Sequence, residues 1–131
     1  MALVGPNSFY PLGSISKKQT SVSHSTDEAE IVAMNLAVRT EGLPALELWE
    51  FIFGRKFTLD LFEDNQATSR IVTTGRAPRL KHIHGTHAVS IAWLHERHIN
   101  ADLILKDCST TFTSADIFTK HFANRDKWLH T

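Results

Sequence analysis

A mixed α/β fold, with helices packed on a mixed sheet, is the class this sequence predicts, and three observations carry it. Two short strand-like segments near the start are separated by turn material. After them, strand and helix patterns alternate to the end of the chain. The 131 residues, 42% hydrophobic and 21% charged, suit one domain with a single core spanning 1–131.

Taken in order, residues 1–8 read as a loop-like N-terminus with Gly5-Pro6-Asn7 as turn material. "SFYPLGSIS" and "TSVSHS" read as two strands of a hairpin, with Pro11 restricting the first to an edge or a bulge. Ser25 and Glu28 then form a capping-box signature. Ile31, Met34 and Val38 recur at helical spacing, and Gly42 offers a C-terminal stop. Pro44 opens a second helix on which Leu46, Trp49 and Phe53 share a face, and Gly54 closes it. A strand spans 57–63, and a short helix runs from about Gln66 to Thr73 before Gly75. "HAVSIAWLHERH" is a longer amphipathic helix, "ADLILKDC" a strand, and "TSADIFTKHF" a closing helix capped by Thr113.

Composition narrows the function. Fourteen basic and fourteen acidic residues cancel, so no strong positive field marks the chain as a non-specific DNA binder. A single cysteine, Cys108, excludes an internal disulfide framework and fits a reducing compartment. No apolar run reaches membrane-spanning length and no signal-peptide pattern opens the chain, so the expected location is the cytoplasm or nucleus.

Three carboxylates fall at element ends: Glu30 in the first turn of a helix, Asp64 at the end of a strand, and Asp116 at the start of the last helix. Drawn from distant parts of a chain, such oxygens build sites for hard divalent cations. Magnesium takes one or two carboxylates and keeps several waters. Each acid also has a simpler explanation, because the helix dipole and N-capping favour acids at these positions.

"SKKQTSVSHSTDEAEIVAM", "LFEDNQAT", "LKHIH" and "SADIFTKHF" resemble, in the same order, successive blocks of the ribonuclease H domain of copia-type retrotransposon polyproteins. The likeness runs from about Ser16 to Phe122. It implies a ribonuclease H-like mixed sheet flanked by helices. It also implies an endonuclease dependent on magnesium, or manganese, that cuts the RNA strand of RNA–DNA hybrids and leaves 3′-hydroxyl and 5′-phosphate ends. Glu30, Asp64 and Asp116 match the family's metal-binding carboxylates. The family's first strand supplies a further catalytic aspartate, whereas nothing acidic precedes Asp27 here and that strand is missing or shortened. The departure leaves open a catalytically inactive nucleic-acid-binding or assembly module.

Lys17, Lys18, Arg70, Arg76, Arg79 and Lys81 are candidates to meet phosphates, and Asn65 and Gln66 to meet a minor groove, where the 2′-hydroxyl separates RNA from DNA. His82, His84, His87, His95 and His98 are too loosely spaced, without a cysteine pair, for a zinc site. Residues 106–115 contain no histidine to act as a proton shuttle, and no small-molecule cofactor is implied. Trp49, Trp93 and Trp128 read as packing residues. A sheet lacking its first strand leaves edges open beside Phe9 and Phe57, which predicts a homodimer. Asp60 or Glu63 would then be the carboxylate donated across it.

Overall fold

A computed structural model describes residues 1–109. The chain is mixed α/β, as the pattern predicts, but the strands among the described residues form two separate pairs. β1 (Ala2–Gly5) and β2 (Ser8–Pro11) make an antiparallel hairpin with Val4 opposite Phe9. The N-terminal residues expected to be loop-like are therefore a strand, and Pro6-Asn7 is the turn. "TSVSHS", expected as a strand, is irregular. Polar side chains in it and just before it bond to helices instead: Gln19 Nε2 donates to the Ala29 carbonyl at 2.9 Å and Ser21 Oγ to the Thr86 carbonyl at 3.1 Å. Val22, 80% exposed, gives the segment no apolar face to bury against a sheet.

α1 (Thr26–Ala37) starts where the capping signature places it, with Ser25 Oγ accepting from the Glu28 amide. It does not stop at Gly42. A π-helical turn (Val38–Gly42) carries it into α2 (Leu43–Phe53), and Gly42 keeps a right-handed conformation. A Cβ there would lie 2.5 Å from Leu59 Cδ2, so the glycine serves close approach and not termination. Gly54 ends α2 in the left-handed conformation. No residue of α2 is fully buried, and Phe51 and Phe53 are largely exposed.

β3 (Leu59–Glu63) pairs in parallel with β4 (Leu103–Asp107), Leu61 opposite Leu105. α3 (Gln66–Thr74) follows β3, capped by Asn65 and closed by left-handed Gly75. A 3₁₀ turn (Pro78–Leu80) leads to α4 (Ile83–His87), and Ser90 caps α5 (Ile91–Ile99). The single helix expected over 87–98 is thus split at Ala88, which adopts a left-handed φ of 55°.

The core joins Ile31, Met34 and Val38 of the continuous α1–π segment to Val72, Leu80, Ile83, Val89, Leu94 and Leu103. Among the described residues, no helix is long and apolar enough to cross a membrane.

Candidate functional site

Alternation along β3 decides which carboxylate reaches the interior. Leu59 and Leu61 are half-buried, Asp60 and Phe62 are exposed, and Glu63, in phase with the leucines, is 9% exposed. Asp64 lies one residue beyond, half-buried, at the turn into α3. Burial pushes the Glu63 carboxyl up to about 7; the nearby charges of Glu30 and Asp64 add to this, and the Asn65 amide donating to Oε1 at 3.0 Å opposes it. Glu30, one turn further along α1 than the sequence placed it, thus shares a corner with Glu63 and Asp64.

Asn65 closes the other side of this corner. Its side-chain oxygen accepts from the amides of Ala67 and Thr68, and its amide nitrogen donates to Asp27 Oδ1 at 3.0 Å. The group expected to face a minor groove is therefore engaged in capping α3 and holding α1. Asp116, the third expected carboxylate, and Trp128 lie outside the described residues. Asp60, offered as a donated carboxylate, bonds Lys106 Nζ at 2.6 Å on the exposed face of the strand pair.

Carboxylate oxygens match the ligand preference of magnesium or manganese. No group of three or more His, Cys, Asp or Glu side chains among the described residues is arranged to hold an ion. The donor chemistry fits a divalent cation.

The expected phosphate contacts are exposed: Lys17 and Lys18 on the irregular segment before α1, Gln66 and Arg70 on α3, Arg79 in the 3₁₀ turn, and Lys81 beside it. Arg76, also exposed, follows α3. Gln66, Ser69, Arg70, Thr73 and Thr74 form one helical stripe lining a shallow groove of about 520 Å³, closed on the other side by Leu105 and Asp107.

A second buried carboxylate was not legible as more than a cap. Glu28 is fully buried, and its Oε2 accepts from the His24 amide at 2.9 Å. His82 Nε2 meets Oε2 at 3.3 Å and His87 Nε2 meets Oε1 at 3.0 Å. Burial alone would raise the Glu28 carboxyl, but the bonds from His24, His82 and His87 and the His82 charge outweigh it and hold it below its ordinary value. A carboxylate only accepts, so both rings carry hydrogen on Nε2. His95 bonds the Val72 carbonyl through Nδ1 at 2.8 Å, which ties α5 to α3. Trp93 packs under Arg39 at 4.1 Å, and Trp49 stacks on Phe53. The only sequence signal for the Glu28 cluster was an unusual number of histidines, which carried no information about their partner.

No family model matches this chain, and neither a curated protein nor a solved structure matches it.

Proposed function

We propose that the chain is a ribonuclease H-like endonuclease, dependent on magnesium or manganese, that hydrolyses the RNA strand of RNA–DNA hybrids. One observation carries the reading: Glu30 on α1 and Asp64 after β3, far apart in sequence, both act electrostatically on the buried Glu63. Carboxylate oxygens drawn from separate elements are the donors a hard cation takes. Glu30 and Asp64 would hold the ion, with Asp116 as the third carboxylate that the family resemblance implies. When bound, magnesium supplies an activated water and neutralises charge at the scissile phosphate. Glu63, titrating near 7, adds less than a full third charge beside Glu30 and Asp64. Lys17, Lys18, Arg70, Arg79 and Lys81 would bind phosphates, and Gln66, exposed at the start of α3, is free to test for a 2′-hydroxyl.

The test is cleavage of a labelled hybrid by the purified chain with magnesium. Asp64→Asn keeps the shape but weakens cation binding, so it should abolish cleavage while far-UV circular dichroism stays unchanged. An Asp64→Asn protein as active as the parent would remove the assignment. A second reading, a nucleic-acid-binding or assembly module without catalysis, rests on the exposed Lys17, Lys18, Arg70, Arg79 and Lys81 alone and needs no ion. Hybrid binding without cleavage, in magnesium or manganese, would select it.

A further inference from the structure

Leu59 donates its amide to the Asp102 carbonyl at 3.0 Å, and Glu63 accepts at its carbonyl from the Cys108 amide at 3.0 Å. In a parallel ladder, alternate residues turn their main-chain groups to the same neighbour. Leu59, Leu61 and Glu63 therefore face β4, and the N–H and C=O groups of Asp60 and Phe62 point to the opposite edge. Among the described residues no strand pairs there, and the β1–β2 hairpin stays a separate sheet. The exposed face beside that edge carries Phe62, 61% exposed, and Ile104 of β4, 42% exposed, next to the Asp60–Lys106 pair.

We propose that this edge docks a second copy of the chain, each copy pairing its β3 antiparallel to the other's about a two-fold axis at Leu61. In that register Asp60 and Phe62 of one copy exchange N–H···O=C bonds with Phe62 and Asp60 of the other. Every free main-chain group at the two residues is then used, which is the self-complementarity a two-fold interface requires. Charge permits the approach. Asp60 is already neutralised by Lys106 at 2.6 Å, and the same ammonium lies 5.8 Å from the Phe62 ring. Each incoming Phe62 therefore meets a compensated Asp60, and no like charges oppose. Basic and acidic residues balance over the whole chain, so no net repulsion holds two copies apart. The inference stands on strand geometry and does not rest on the nuclease reading.

Light scattering on the full chain from low to high micromolar concentration should show the mass rising from 14.8 kDa towards twice that value. Phe62→Pro removes an outward N–H and leaves the bonds to β4 untouched, so it should give a monomer with unchanged circular dichroism. Asp60→Lys, which sets like charges beside Lys106, should weaken dimerisation at least tenfold. In a Cys108→Ser background, Leu61→Cys should cross-link to a disulfide dimer on mild oxidation and Thr58→Cys should not, because only residue 61 opposes itself. A parent chain that stays monomeric at high micromolar concentration overturns the proposal. So does a dimer that survives both Phe62→Pro and Asp60→Lys, or one that cross-links equally through either cysteine.

Discussion

Glu28 and Glu63 are both buried glutamates, yet their surroundings push their carboxyls in opposite directions. Glu28 accepts from the His24 amide and from two imidazoles, and it is held below its ordinary value. Burial drives Glu63 up to about 7, the like charges of Glu30 and Asp64 add to the rise, and the bond accepted from the Asn65 amide opposes it. The difference teaches how to tell a structural acid from a site. A carboxylate met by several donors is held ionised and locks helices together, whereas a buried one beside other carboxylates is pushed towards its neutral form.

The largest effect should come from breaking the satisfied side. Glu28→Ala leaves the His24 amide and the His87 ring without their acceptor. His87 has a side chain only 1% exposed, and one orphaned buried donor costs about 1–3 kcal/mol. The total loss should exceed that for a single donor, and urea unfolding at neutral pH would measure it. A loss below about 1 kcal/mol would mean that the cluster does not hold α1 to α4.

Glu63→Gln should do the reverse and stabilise. The folded carboxyl titrates near 7 and the unfolded one near 4.5, so the parent loses stability as pH climbs between those values. Removing the charge should recover on the order of 1–3 kcal/mol at pH above 7 and almost nothing below 4.5. Glu28 has the opposite sign. Its folded value lies below 4.5, so its contribution is complete above 4.5 and is lost as pH falls through the lowered value. Unfolding measured across acid and neutral pH should show both slopes, and Glu28→Gln should flatten only the acid one.

Asn65→Ala tests the wall of the charged corner. It removes the cap of α3 and the bond to Asp27, and it should cost about 0.5–2 kcal/mol by the same unfolding assay. The smallest effect is expected from Asp64→Asn, with stability within about 0.5 kcal/mol of the parent. Removing that neighbouring charge should nevertheless lower the Glu63 titration from about 7, which carboxyl carbon NMR would follow. An unmoved titration would mean that Asp64 does not act on the corner.

Local rules made much of the chain legible. Ser25 fixed the start of α1, the period of Ile31, Met34 and Val38 marked its buried face, and Gly54 and Gly75 ended their helices with the left-handed backbone that glycine tolerates. The signals that misled were ambiguous locally. Gly42 reads as a stop, but its lack of a side chain serves the approach of Leu59, a residue from another element. Gln19 and Ser21 before α1 suit a strand until α1 and α4 offer their side chains carbonyls.

The sequence by itself determined the α/β class, most helix boundaries and the presence of acids where β3 meets α3, because propensity, capping and alternation act over a few residues. Only the tertiary structure decided which acids matter and how. Whether a carboxylate is held ionised or driven towards neutrality depends on donors and charges brought from elsewhere. His82 and His87 lie more than fifty positions from Glu28, and Glu30 comes to Glu63 from a different element. Burial and long-range electrostatics have no local signature, so that distinction exists only once the chain has folded.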